Sequence, residues 1–253
     1  MCVKNLSIHK KITSIVLGLS LVIFFACTND ASKNRFIYSE TAKIDLPKDH
    51  SIHGIDLSHF NGSIKWSKLP KIDLFDTVSI KFVFLKATEG KTLVDKDFKA
   101  NYESAKEKGL TVGAYHFFLP NRDPLEQAKN FCKTVKLENG DLPPVCDFEI
   151  PSNLTKEKLT KNIQIFLDKL QENYGVKPII YTNRKLYQRI FKEKFPGYNY
   201  WIAHYEANDF DQSIENLVIW QHSKEGKLPG HSGSFDYNVF IGDEDDFNTL
   251  LIK

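Results

Sequence analysis

From His53 onward, short apolar runs alternate with segments in which apolar residues recur at helical spacing. The runs predict eight strands: Ile52 to Ser58, Phe82 to Thr88, Thr111 to Phe118, Val145 to Ile150, Pro178 to Thr182, Tyr200 to Tyr205, Leu217 to His222 and Phe235 to Ile241. Helical patterns cover Asp97 to Lys108, Pro124 to Lys136, Thr155 to Tyr174 and Asn183 to Lys192. In the second, Leu125, Ala128, Phe131, Cys132 and Val135 fall on one stripe. Gly109 and Gly175 follow helix patterns where a left-handed cap is wanted. Pro124 suits a first helical turn, with Asp123 as its cap and Gln127 placed to complete a capping box. Strand and helix alternate through the first five strands, which calls for parallel pairing by crossover connections. The last three strands follow one another with little helix between them. The expected architecture is therefore an α/β barrel, TIM-like at first and irregular at its end.

The N-terminus follows a different pattern. Lys4, His9, Lys10 and Lys11 precede an uncharged apolar stretch from Ile12 to Ala26, too short to span a bilayer comfortably and suited to the core of an export signal. Ala26-Cys27 closes it, and a small residue before Cys at that point resembles a bacterial lipoprotein processing site. The domain expectation is a signal peptide over 1–26, a tether over 27–50 and one catalytic barrel over 51–253. Export places the protein in the periplasm or at the cell surface, anchored by a lipid on Cys27 or otherwise secreted.

Composition sharpens this. With 42% apolar, 26% charged and 13% aromatic residues, the chain is an ordinary folded protein. Its 34 basic residues fall to 31 without Lys4, Lys10 and Lys11, against 32 acidic ones. A near-neutral surface gives no general grip on nucleic acid or anionic lipid. Oxidising surroundings bring the two remaining cysteines into question: Cys132 lies on the apolar helix stripe and Cys146 has the strand parity that points to the same layer. A disulfide and two buried thiols are both open.

In a barrel of this kind the chemistry belongs at the carboxyl ends of the strands. Asp147 and Glu149 sit two apart late in one strand run, on one face and about 6.6 Å apart along the backbone. Like charge and partial burial there raise a carboxyl pKa, and a raised carboxyl serves as a general acid. Asp56 ends another apolar run, and Asp236 opens the last. Four acids at separate strand ends suit glycosidic bond cleavage. Aromatic strand residues, among them Tyr115, Tyr181, Trp201, Tyr205 and Trp220, suit sugar faces. No HExxH, no zinc-like Cys/His spacing, no GxSxG elbow and no Walker loop occurs, so neither a metal nor a cofactor is expected.

The motifs together carry a resemblance. His53 to Gly62 (HGIDLSHFNG), Phe84 to Gly90 (FLKATEG), Gly113 to Phe117 (GAYHF), Cys146 to Glu149 (CDFE), Ile180 to Asn183 (IYTN), Trp201 to Ala203 (WIA), Trp220 to Ser223 (WQHS) and Asp236 to Asn238 (DYN) resemble glycoside hydrolase family 25, the Chalaropsis-type lysozymes. Phe60 and Asn61 stand where that family often has Trp and Gln. The resemblance implies a flattened barrel of five strand-helix units plus three strands, (β/α)5(β)3. It implies an N-acetylmuramidase that cuts peptidoglycan between N-acetylmuramic acid and N-acetylglucosamine with net retention, assisted by the substrate's acetamido group. Glu149 would then be the acid, Asp147 would orient the acetamide, and Asp56 and Asp236 would complete the acidic set. Tyr115, Tyr181, Trp201, Trp220 and Gln221 would contact the sugar, and Lys86 and Glu89 would be mainly structural. The expected partner is the glycan strand, met by a monomer, with the membrane involved only through the leader or its lipid. Two alternatives stand beside this reading: a chitinase or endo-glucosaminidase on a related barrel, and a non-catalytic glycan-binding lipoprotein.

Overall fold

A computed structural model describes residues 35–68, 73–75, 78–205, 207 and 209–253. The expected signal segment and Cys27 lie outside them. The described chain begins with a hairpin, β1 (Phe36–Ser39) and β2 (Ile44–Pro47), followed by β3 (His53–Leu57). A short strand β4 (Asp73–Phe75) leads into the long β5 (Val78–Glu89), and β6 (Leu93–Val94) folds back on its end. Then follow α1 (Phe98–Glu107), β7 (Thr111–Phe117), α2 (Pro124–Thr134), β8 (Val145–Asp147), α3 (Lys156–Tyr174) and β9 (Ile179–Asn183). Next, α4 (Arg184–Leu186) runs through a π-turn over Tyr187–Phe191 into α5 (Lys192–Lys194). The chain closes with β10 (Tyr200–Ala203), β11 (Leu217–Gly226), β12 (Phe235–Phe240) and α6 (Glu244–Leu250). Among the described residues no helix is long and apolar enough to cross a membrane.

Eight strands close into a barrel in the order β3, β12, β11, β10, β9, β8, β7, β5 and back to β3. Every neighbour pair is parallel except the two made by β12. This is the flattened TIM-like α/β barrel expected, with helices on the crossovers from β5 to β10 and none between β10 and β12. Because β12 runs against its neighbours, its first residues rise at the mouth where the parallel strands end. Strand alternation sorts the apolar side chains into two layers. Phe82, Phe84, Val145, Ile179, Trp201 and Ile219 fill the barrel interior, while Phe118, Phe148, Phe166 and Phe191 pack between sheet and helices. Gly54 and Gly113 make the inner layer possible: a Cβ at either would stand 2.3 or 2.2 Å from the ring of Phe82 or Phe84.

Local caps explain the helix bounds. The Asp123 carboxylate accepts from the Leu125 and Glu126 amides, and Gly175 ends α3 in the left-handed region at φ 73°. Gln127 departs from the expected capping box. It is buried, its side-chain amide bonds the backbone of Leu119 and its Oε1 lies 3.3 Å from His116, so tertiary contacts take it from the cap.

The expected tether is corrected from Phe36 onward. Residues 36–47 form the β1–β2 hairpin, whose Ala42 and Leu46 are fully buried. It lies on the outer face of β11 and β12, the part of the barrel that no helix covers. Phe36 meets Trp220 edge-on at 6.3 Å, the Ala42 carbonyl accepts from Lys227 N at 2.7 Å, and Ser39 Oγ donates to the Leu74 carbonyl at 2.7 Å. Arg35 pairs with Asp49 and Asp209. The disulfide is also corrected, since both thiols are free. Cys146 is wholly buried under the sheet, whereas half-buried Cys132 turns to Tyr174 of α3.

Candidate active site

The four acids converge at the barrel mouth. Asp56, near the end of β3, stands in register with Asp236 at the start of β12. Asp147 is the last residue of β8, in register with Phe117 and Tyr181. Glu149 lies just past the strand, because β8 stops at Asp147. The expected extended pair is therefore a strand residue and a loop residue. They still meet, close enough for each carboxyl to act on the other. Asp147 is buried at 4% exposure, while Glu149 is the most solvent-facing of the four.

Burial raises every one of these carboxyls, and like charge adds to it at Asp56, Asp147 and Asp236. Asp147 is pushed well up by burial first, then by the charges of Glu149 and Asp56. Asp56 is pushed well up by burial and by Asp236, against the opposing pull of two amide donors. Asp236 rises to about 6, by burial and then by Glu149. Glu149 rises by burial, opposed by Asp147 and by the charge of Lys86. The common direction of the four shifts is toward holding a proton, the property a general acid needs.

The neighbours position these groups. Asp56 Oδ2 accepts from Gln221 Nε2 at 2.8 Å and from Asn238 Nδ2 at 2.9 Å. Gln221 Oε1 in turn accepts from Tyr181 Oη at 2.8 Å and Tyr205 Oη at 2.7 Å, and Asn238 Oδ1 accepts from Trp201 Nε1 at 2.7 Å. Buried networks of this kind fix orientation when every member is satisfied. One atom is left over: Asp147 Oδ1 is buried without a partner. Lys86, 5% exposed, bonds Glu89 at 2.7 Å and lies 4.8 Å from the centre of the Phe117 ring. The loop after β3 is pinned beside Asp236, since Ser58 and Asn61 cap each other and Asn61 Nδ2 donates to the Ser234 carbonyl.

Of the expected sugar contacts, Tyr115 and Tyr181 lie on the floor among the acids. Three others are corrected. Trp201 is inside the barrel one layer too deep, stacked on Phe84 at 4.6 Å and 2% exposed. Trp220 has the opposite parity from Gln221; it faces outward under the hairpin, its Nε1 donating to the His204 carbonyl. Gln221, 1% exposed, reaches substrate only through Asp56 and the tyrosines. The sequence reading missed Asn238 as an Asp56 partner and the charge of Lys86 at the acids, while Tyr205, named among the strand aromatics, stands exposed on the wall. Phe60, within the first motif, is 80% exposed, with Lys86 Nζ 5.5 Å from the centre of its ring. Among the described residues no three His, Cys, Asp or Glu side chains are placed to hold a metal ion.

A parallel barrel whose mouth gathers four carboxyls of raised affinity for protons, walled by tyrosines, defines a glycoside hydrolase. Comparison with known proteins makes this particular. The profile of glycosyl hydrolases family 25 matches residues 55–231, and the chain belongs to that family. It is 32% identical to the protein YegX of Escherichia coli K12, over 96% of this chain and 95% of the relative. It is 31% identical to lysozyme M1 of Streptomyces globisporus, over 78% of this chain and 70% of that one. A family 25 glycosyl hydrolase from Bacillus anthracis superposes with a TM-score of 0.71 at 30% identity, over 83% of this chain and 98% of the other.

Proposed function

We propose that this enzyme is a peptidoglycan muramidase that hydrolyses the β-1,4 bond between N-acetylmuramic acid and N-acetylglucosamine with net retention. The observation that carries the reading is the pairing of Glu149, facing solvent, with Asp147, buried behind it and holding one oxygen free. Glu149 donates its proton to the glycosidic oxygen as the bond breaks. The acetamide N–H of the sugar bonds the orphaned Asp147 oxygen, and its carbonyl oxygen attacks the anomeric carbon, giving an oxazolinium ion. Charge on Asp56 and Asp236 stabilises the positive sugar ring. Glu149, now ionised, takes a proton from water as that water opens the oxazolinium ion from the vacated face, and two displacements restore the starting configuration. Asp56 is held for this task by Gln221 and Asn238.

Replacing the donor tests the reading. Glu149→Gln is expected to lower kcat on purified cell wall by about 10²-fold or more, with the melting temperature nearly unchanged because the side chain faces solvent. Turnover within a few-fold of wild type overturns the assignment. The enzyme acts after export as a monomer, held by a lipid on Cys27. Cys27→Ala should then move it from the membrane fraction to the soluble one; an unchanged distribution contradicts the anchor.

A further inference from the structure

The reaction above uses a neutral glycan, yet one wall of the mouth is cationic. A cavity of about 640 Å³ opens beside Glu149, between the ends of β9, β10 and β11. Arg184 and Lys185 enter it from the first turn of α4, and Lys224 from β11. Arg184 gives its Nε to Asp211 at 2.5 Å. Among the described residues Lys185 and Lys224 make no ion pair, and Lys224 lies 5.4 Å from the centre of the Tyr205 ring. Glu225 shares the rim. Two histidines also line the cavity with a ring nitrogen buried and unpartnered: His204 through Nδ1 and His222, 6% exposed, through Nε2.

Cations set beside a four-carboxyl centre have no part in holding N-acetylglucosamine, which carries no charge. Unpartnered imidazole nitrogens call for amide or carboxyl groups. In peptidoglycan both chemistries occur together in one place, the peptide stem on the lactyl group of muramic acid. We propose that this cavity receives that stem, Lys185, Lys224 and Arg184 binding its carboxylates and His204 and His222 its amide groups. The preferred substrate is then stem-bearing glycan. The proposal rests on the muramidase reading and names the part of the substrate that the cavity selects.

The test compares intact soluble glycan chains with the same chains stripped of stems by an amidase and capped at the freed lactyl carboxylate as the methylamide, so that the control carries neither stem nor charge. Wild type is expected to cleave the stem-bearing chains with a kcat/KM about tenfold higher, the scale of two to three solvent-exposed ion pairs, and the preference shrinks as salt is raised. Lys185→Ala should bring the ratio toward one by raising KM on the stem-bearing chains alone, and Lys185→Arg should keep it; Lys224 is left in place because its charge also acts on Asp236. Equal cleavage of both substrates by wild type overturns the stem site while leaving the muramidase reading intact. A Lys185→Ala variant that loses the same factor on both substrates also overturns it. Failure to cut either substrate overturns the muramidase reading itself.

Discussion

Asp147 and Glu149 show how burial divides the labour between two like residues. Burial and neighbouring charge push the Asp147 carboxyl up, while Glu149 keeps its carboxyl toward solvent. Asp236 makes the cost of this arrangement measurable. Its carboxyl titrates near 4 when unfolded and at about 6 in the folded protein, so the folded form binds the proton more tightly. That contribution to stability is present below the unfolded value and lost as pH rises through about 6. Asp236→Asn should therefore stabilise the protein at pH 7, by about 1–2 kcal/mol, and give no gain at pH 4, while activity falls. Thermal melts of both proteins at the two pH values decide it, and an equal gain at each contradicts the account. The acids were legible in the sequence because each stands in a motif at a strand end. The tryptophans were not. Strand parity separates Trp220, which faces out, from Trp201, which faces in, but depth along the barrel decides whether an inward ring touches substrate or core. Asn238 sat unremarked because an amide acquires its meaning only from the carboxylate it faces.

At the level of elements, the last three barrel strands lack covering helices, and the β1–β2 hairpin fills that role. Its strands are four residues each, too short for a periodicity to emerge. The reversal between them carries Lys43 at φ 56° with no Gly, Pro or Asn to mark it. The segment consequently reads as a polar tether. Leu46 distinguishes the two descriptions. Leu46→Ala should destabilise the protein by about 2–4 kcal/mol, as for a buried leucine. In a tether the same change stays within about 0.5 kcal/mol. Urea unfolding measures it. His53, whose Nε2 donates to the His50 carbonyl at 2.9 Å, and His222 are buried 6.5 Å apart and held neutral by desolvation. By contrast α2 and α3 were legible almost to the residue, since long amphipathic stripes and their caps are local signals.

For the molecule as a whole, the alternation of strand and helix was enough to indicate a barrel, and the three strands without helices between them showed where it becomes irregular. The manner of closure was not legible, because it depends on β12 inserting antiparallel between β3 and β11, a pairing between distant parts of the chain. That inversion brings Asp236 opposite Asp56 and completes the acidic mouth. The central claim is that this mouth cuts the muramyl side of the glycan repeat. Digestion of purified peptidoglycan by the purified protein, followed by mass spectrometry of the released fragments after borohydride reduction, tests it most directly. Reduced muramic acid at the new chain ends is the predicted result, and reduced glucosamine there, or no new ends at all, would contradict the account.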